Sequence, residues 1–128
     1  MPTTRKCLFI DDDEDDRDFF CSAVQSIDTT IDCRFAKDGE QALIQLSTDP
    51  FLIPDFIFID MNMPMIDGKQ CLAEIRKINR LDHVPVYIYS TSGTAKLIDE
   101  VLALGAKEFL IKPSSMPALE EMLREIIA

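Results

Sequence analysis

Short apolar runs recur along the chain, and each has the length of a β-strand. Four are clear, at residues 7–10, 56–59, 86–89 and 109–111, and residues 31–36 form a weaker fifth candidate. The clear runs are continuously apolar without polar alternation, which is typical of parallel strands covered on both faces. The pattern therefore predicts a parallel sheet of four or five strands.

Segments with helical spacing of apolar residues separate and follow these runs, at residues 16–27, 39–46, 68–78, 95–104 and 116–127. Asp38 is placed to cap the second helix and Gly105 to end the fourth. Pro117 falls in the first turn of the last helix, after Ser114 or Ser115. Strand and helix thus alternate five times. Because each parallel pair needs a crossover of about a dozen residues, this order predicts an α/β fold with helices on both faces of an open sheet.

The length of the chain indicates one domain. Its 128 residues are 47% hydrophobic, which is enough for one buried core. The sequence has no internal repeat, low-complexity tract or Ser/Gly-rich linker, and the last predicted helix runs to the C-terminus. We therefore expect a single domain over residues 1–128, with no output domain.

The charge balance narrows the classes of partner. The net charge is −10, from 13 Lys and Arg against 23 Asp and Glu, and it repels nucleic acid and anionic membranes while favouring cations. No apolar run approaches the roughly 18 residues of a membrane span, and the N-terminus lacks the apolar core of a signal peptide. We expect a cytoplasmic protein with no direct contact with nucleic acid and no membrane insertion.

The cysteine and histidine content excludes several kinds of site. Cys7, Cys21, Cys33 and Cys71 lie far apart among apolar neighbours, so we interpret them as small buried hydrophobes and not as a disulfide framework. The lone histidine, His83, argues against a zinc site and against Ser/His or Cys/His hydrolases. Glycine patterns of nucleotide-binding loops are also absent from the sequence.

Polar residues follow the predicted strands where each strand ends. They are Asp11 to Asp13, Asp60, Ser90 with Thr91, and Lys112. In an open α/β sheet, ligands bind beyond the carboxyl ends of the strands. Clustered carboxylates favour a divalent cation with oxygen ligands, most simply Mg²⁺, and a lysine ammonium suits a phosphoryl oxygen. The set predicts phosphoryl transfer with a carboxylate as acceptor.

Most of the acidic run from 11 to 18 has a simpler interpretation. Seven of its eight residues are acidic, and such charges favour a helix N-terminus. An EF-hand is excluded, because the sixth position from Asp11 is Asp16 instead of Gly and the twelfth is Ser22 instead of Glu. We assign the following residues mainly to a solvated first turn: Asp13, Glu14, Asp15, Asp16 and Asp18.

Four segments together resemble a known family. Residues 8–13, 59–68, 85–91 and 109–113 include the string Asp-x-x-Met-Pro-x-x-Asp-Gly from Asp60 to Gly68, and later Lys112-Pro113. In this order they resemble the receiver domain of two-component response regulators, over essentially the whole chain. The resemblance implies a flavodoxin-like (βα)5 doubly wound sheet with strand order 2-1-3-4-5 in a three-layer sandwich.

The resemblance also implies a function in phosphorelay signal transduction. Asp60 is the implied phosphoacceptor, which takes a phosphoryl group from a phosphohistidine of a sensor histidine kinase or phosphotransfer protein. Asp11, Asp12, Asp60 and the backbone carbonyl of Asn62 are the implied ligands of Mg²⁺. Such a domain is not an enzyme beyond self-catalysed phosphoryl transfer and autodephosphorylation.

Further roles follow from the same resemblance. Lys112 is implied to pair with a phosphoryl oxygen, and its peptide bond to Pro113 is implied to be cis, a geometry that only proline makes cheap. The Ser90 hydroxyl is implied to move to the phosphoryl group, so that Phe109 can turn inward. Phe109 is equally well explained as ordinary core of its strand.

The implied switch changes the surface of the fourth helix, fifth strand and fifth helix, which could hold a downstream protein target or a second copy of the chain. Thr91 stands where a smaller residue is commoner in the family and narrows access to the acceptor. Asn62 and Ser92 stand where the family tunes the lifetime of the phosphoryl group.

Two other functions compete with this interpretation. A phosphatase with an aspartyl nucleophile needs a second Asp as general acid two residues after the nucleophile, but this chain has Asn62 there. A scaffold that binds its partner regardless of phosphorylation would not need the complete set of Asp60, Ser90 and Lys112.

Overall fold

The computed structural model describes residues 4–128, which form a sheet of five parallel strands between two layers of helices. The strands are β1 (Lys6–Ile10), β2 (Asp32–Ala36), β3 (Phe56–Asp60), β4 (Val86–Ser90) and β5 (Glu108–Ile111). The helices are α1 (Glu14–Ile27), α2 (Gly39–Thr48), α3 (Gly68–Ile75), α4 (Ala95–Ala103) and α5 (Met116–Ile127), with a 3-10 turn at Asn79–Leu81. Within these residues, no helix has the length and apolar character that a membrane span requires.

The strand order is β2-β1-β3-β4-β5, and every neighbouring pair is parallel. This confirms the predicted flavodoxin-like fold. The weak candidate strand is β2, which lies at one edge of the sheet, and there Arg34 and Phe35 are exposed. Its weaker apolar pattern follows from that position, since an edge strand is only partly covered.

Each face of the sheet packs against its own layer of helices. Successive side chains of a strand point to opposite faces, so each central strand supplies both cores. Phe9 and Phe58 pack with Phe20 of α1, and the rings of Phe9 and Phe20 stack with centroids 4.0 Å apart. The opposite core lies under α2, α3 and α4 and includes Leu8, Ile10, Ile57, Ile59 and Ile88.

Side-chain caps fix where the helices begin. Asp38 caps α2 as predicted, and α5 is capped by Ser115, one of the two serines considered. Asp67 forms a capping box with Gln70 at the start of α3. Gly105 has φ +111° and ends α4, also as predicted. Its N–H binds the Leu102 carbonyl while that of Ala106 binds Val101, which is the Schellman arrangement.

Helix α3 is shorter than predicted and ends at Ile75, not Ile78. The N–H groups of Lys77 and Ile78 bind the carbonyls three residues back, so the last turn tightens and the helix stops. The Arg76 guanidinium then binds the carbonyls of Leu81 and Val84, which holds the following turn in place. Apolar spacing alone does not contain this information.

Candidate functional site

The carboxyl ends of β1 and β3 bring three carboxylates together. Asp11 and Asp12 directly follow β1, and Asp60 is the last residue of β3. One carboxylate oxygen from each of the three lies within 4.8 Å of the others. Asp11 and Asp60 are buried, whereas Asp12 is exposed at the mouth of the cluster. The strand ends thus converge as the sequence predicts.

The first residue of α3, Gly68, packs directly against the backbone of Asp60 and Met61. A side chain at Gly68 would place its Cβ 2.7 Å from the Asp60 carbonyl oxygen and 2.8 Å from the Met61 Cα. The Gly68 N–H binds the Met61 carbonyl at 2.9 Å, which ties the start of α3 to the end of β3. The glycine of the Asp-x-x-Met-Pro-x-x-Asp-Gly string therefore allows α3 to begin directly against the strand that carries Asp60.

Burial opposes ionisation of the two inner carboxylates. It raises the pKa of Asp11 to about 6, and the nearby Asp60 charge adds to this, although a hydrogen bond from the Asp13 N–H at 2.9 Å acts in the opposite direction. Burial also raises the pKa of Asp60, against the opposing effects of the Lys112 charge and hydrogen bonds from Lys112 and the Asn62 N–H. A cluster of this kind favours an additional cation.

Lys112 supplies the positive charge in this cluster. Its Nζ lies 3.1 Å from Asp60 Oδ1 and 3.4 Å from Asp11 Oδ2, and its backbone N–H binds the Ser90 carbonyl at 2.7 Å. Burial lowers the pKa of Lys112, but the hydrogen bond to Asp16 and the charges of Asp11 and Asp60 outweigh it, so the pKa is raised overall. Lys112 is therefore a fixed ammonium that touches the candidate acceptor.

The expected cis bond between Lys112 and Pro113 is not found, because every peptide bond in residues 4–128 is trans. An X–Pro bond favours trans by only about 0.5–1 kcal/mol, so the sequence around it does not determine the isomer. Lys112 reaches its carboxylate partners from the trans bond.

Ser90 ends β4 and is fully buried. Its hydroxyl donates to the Ser92 carbonyl at 2.8 Å. The hydroxyl is therefore held by its own loop, at the wall of a cleft of about 290 Å³ whose lining also includes Asn62, Gly93 and Thr94.

Phe109 lies on the same face of the sheet as Ser90. Phe109 pairs with Ile88, and Ser90 lies two residues after Ile88 on β4. Ser90 and Phe109 are therefore two residues apart in register on neighbouring strands. The ring is half-buried in the α3 and α4 core and packs against Gly93, where an added Cβ would lie 2.5 Å from the Phe109 Cζ. Phe109 thus fills the space behind the loop that holds the Ser90 hydroxyl.

Comparison with known proteins decides the family. The sequence model of the response regulator receiver domain matches residues 7–124. The chain belongs to the response regulator receiver domain family. Receiver domains act in phosphorelay signalling and are not classical enzymes. Receiver domains bind Mg²⁺ at an acidic pocket, and this chain has an acidic cluster of Asp11, Asp12 and Asp60.

Individual relatives agree with this assignment. The receiver domain is 32% identical to chemotaxis protein CheY of Pseudomonas aeruginosa over 91 residues, which cover 71% of each chain. It is 27% identical over 115 residues to sensor histidine kinase TmoS of Ectopseudomonas mendocina, covering 90% of this chain but only 12% of TmoS. Among solved structures, the CheX-CheY-BeF3-Mg complex of Borrelia burgdorferi contains a match with a TM-score of 0.80 and 25% identity, covering 97% of this chain and 90% of that one.

The structure adds one residue that the sequence interpretation missed. Asp16, assigned to a solvated first turn, places its Oδ2 2.8 Å from Lys112 Nζ. A signal was present, because Asp16 lies one turn before Phe20 and so shares the buried stripe of α1. Among the other acidic residues of that run, Asp13 is the N-cap of α1, and Glu14, Asp15 and Asp18 are exposed as predicted.

Proposed function

We propose that this receiver domain accepts a phosphoryl group on Asp60 and thereby switches a protein-binding surface. The observation that carries the proposal is the position of Asp60, which ends a central strand in contact with the Lys112 ammonium and beside Asp11 and Asp12. The donor is a phosphohistidine on a sensor histidine kinase or a phosphotransfer protein. The alternatives of scaffold and aspartyl phosphatase are not favoured by the family assignment.

Mg²⁺ fits the donor set. Asp11, Asp12 and Asp60 offer carboxylate oxygens within 4.8 Å of one another, and hard oxygen ligands with room for water are what Mg²⁺ prefers. We assign the remaining protein ligand to the backbone carbonyl of Asn62. When bound, the ion neutralises negative charge as the phosphoryl group meets the acceptor.

Asp60 and Lys112 carry out the transfer itself. A carboxylate oxygen of Asp60 attacks phosphorus, the P–N bond of the phosphohistidine breaks, and the released imidazole takes up a proton. Lys112 already touches Asp60 and is placed to pair with a phosphoryl oxygen. The same site supports later hydrolysis of the aspartyl phosphate, and Asn62 and Ser92 line the cleft beside Ser90.

The switch begins at Ser90. Its hydroxyl leaves the Ser92 carbonyl for a phosphoryl oxygen, the loop follows, and Phe109 turns into the vacated space. The α4, β5 and α5 surface then changes shape. Leu102, Leu104 and Ile111 are exposed apolar side chains of this surface, and they suit a downstream protein target or a second copy of the chain. We propose that this phosphoryl transfer and the switch take place in the cytoplasm.

A solved neighbour supports the choice of ligand. The CheY of Borrelia burgdorferi that this chain matches was solved with BeF3, Mg and CheX. By analogy, the acidic pocket of this chain binds Mg²⁺ and a phosphoryl group, and its surface binds a protein partner.

The test is the intact mass of the protein after incubation with acetyl phosphate. We expect one added phosphoryl group in the presence of Mg²⁺ and none with a chelator. Asp60→Asn should remove the adduct, whereas Asp18→Asn, an exposed acidic residue of α1, should keep it. A stoichiometric adduct on Asp60→Asn would refute the acceptor assignment, and no adduct on the unmodified chain under any condition would favour the scaffold.

A further inference from the structure

Two half-buried cysteines meet where α1 covers the β2 edge of the sheet. The Sγ atoms of Cys21 on α1 and Cys33 on β2 lie 2.7 Å apart, and both thiols are free. A disulfide bond is about 2.05 Å long, so the two sulfurs are within about 1 Å of bonding distance. The sequence interpretation of the cysteines as buried hydrophobes holds for Cys7 and Cys71 but not for this pair.

The pair is accessible to a small reagent. Strand β2 is an edge strand, and Cys21 and Cys33 are both only partly buried. Cys7 faces Cys33 across the strand pair but is fully buried. Cys71 is also fully buried, in the core on the opposite face of the sheet. Among the cysteines of residues 4–128, only Cys21 and Cys33 are both partly exposed and have their sulfur atoms close together.

We propose that Cys21 and Cys33 are a two-electron oxidation site, which a hydroperoxide converts to an intramolecular disulfide between α1 and β2. A thiolate of the pair attacks a peroxide oxygen, the O–O bond breaks, and a sulfenic acid and one water form with hydrogen peroxide as oxidant. The second sulfur attacks the sulfenic sulfur, the S–O bond breaks, and the hydroxide leaves as a second water with the remaining thiol proton. Two thiols and one hydrogen peroxide thus give one disulfide and two waters.

The local environment makes the oxidation of both thiols slow at neutral pH. The hydrogen bond with Cys21 lowers the pKa of Cys33, but contact with Cys7, burial and the Asp32 charge outweigh this and raise the pKa of Cys33 to about 12. The hydrogen bond to Cys33 and burial raise the pKa of Cys21 as well. Because only the thiolate reacts, the rate should rise with pH in proportion to the thiolate fraction, about tenfold per unit between pH 7 and 9.

The experiment treats the full chain with hydrogen peroxide at pH 7, 8 and 9 and follows its intact mass and its peptides without reduction. We expect the loss of two hydrogens, a cross-linked peptide pair containing Cys21 and Cys33, and recovery of the original mass with dithiothreitol. Cys21→Ser and Cys33→Ser should each abolish the cross-link. Cys71→Ser is the matched control and should keep it.

Three results would overturn the proposal. One is a cross-link that persists in Cys21→Ser and joins Cys7 to Cys33. Another is that the unmodified chain forms no cross-link at any pH, whether it gains oxygen or does not react at all. The third is a mass change or cross-link that excess dithiothreitol does not reverse, because a disulfide is reduced by thiol–disulfide exchange. The last two use the unmodified chain and do not depend on whether a serine variant folds.

Discussion

The Lys112 ammonium lies 2.8 Å from a carboxylate oxygen of Asp16. This distance is shorter than its 3.1 Å separation from Asp60, the proposed acceptor. The Lys112 ammonium therefore contacts one carboxylate on α1 and another at the end of β3 at the same time. Asp16 is about 40% exposed at its side chain, so it holds Lys112 from the solvent side of the cluster.

Replacing Asp16 should remove one charged partner of the Lys112 ammonium. In Asp16→Asn we expect the pKa of Lys112 to fall, because a charged hydrogen-bond partner is lost. NMR titration of the Lys112 side chain measures this directly. Asp15→Asn is the control, since Asp15 is an exposed neighbour whose side chain makes no ion pair within residues 4–128. An unchanged pKa in Asp16→Asn would show that the ion pair does not form in solution.

The metal-free protein should lose stability as the pH rises, through the buried Asp11. Its folded pKa of about 6 lies above the ordinary 3.8, so the folded state binds this proton more tightly than the unfolded chain does. The resulting stabilisation is complete below about pH 3.8 and is lost as the pH rises through 6, for a total on the order of 3 kcal/mol. The raised pKa of Asp60 has the same sign.

Urea unfolding in chelator at pH 4 and pH 7.5 checks this prediction. Asp11→Asn should be nearly as stable as the unmodified chain at the lower pH and more stable by about 1–3 kcal/mol at the higher pH, since the amide carries no buried charge. Its Oδ1 can still accept from the Asp13 N–H. Asp18→Asn should show no such difference, and an equal stability of Asp11→Asn and the unmodified chain at both pH values would contradict the assignment.

The sequence predicted the sheet well and the contacts of the site only in part. Strands such as Phe56–Asp60 are apolar on both faces, so their pattern determines both strand and burial. The Asp16 contact depends on how α1 lies on the sheet, and an acidic first turn is equally compatible with solvent. The Lys112–Pro113 isomer depends on an energy difference of about 0.5–1 kcal/mol, which no local pattern decides.

Two glycines at equivalent positions offer a matched test of the close packing behind Asp60. Gly68 and Gly39 are each the first residue of a helix. A Cβ at Gly68 would lie within 2.8 Å of the backbone of Asp60 and Met61, whereas one at Gly39 would meet the Ile66 side chain at 3.2 Å. Gly68→Ala should therefore destabilise the fold by about 1–3 kcal/mol.

Gly39→Ala should cost much less, because the nearest group is a side chain that can shift and alanine favours the helix by up to about 1 kcal/mol. Urea unfolding of both variants gives the comparison. Gly68→Ala should also slow phosphorylation by acetyl phosphate, since the backbone that must move carries Asp60. Equal stability of the two variants would show that α3 adjusts without strain.

Gly93 and Phe109 should be energetically coupled. An added methyl at Gly93 would lie 2.5 Å from the Phe109 Cζ and 2.7 Å from its Cε1, so the ring has to leave its place in the core. We expect Gly93→Ala to cost about 1–3 kcal/mol of stability in the unmodified chain. In a Phe109→Ala background the obstacle is gone, and the same substitution should be close to neutral. A double-mutant cycle from urea unfolding measures this coupling, which should be about 1–3 kcal/mol. If Gly93→Ala costs the same in both backgrounds, the ring does not occupy this position in solution, and the proposed inward turn of Phe109 must start from a different conformation.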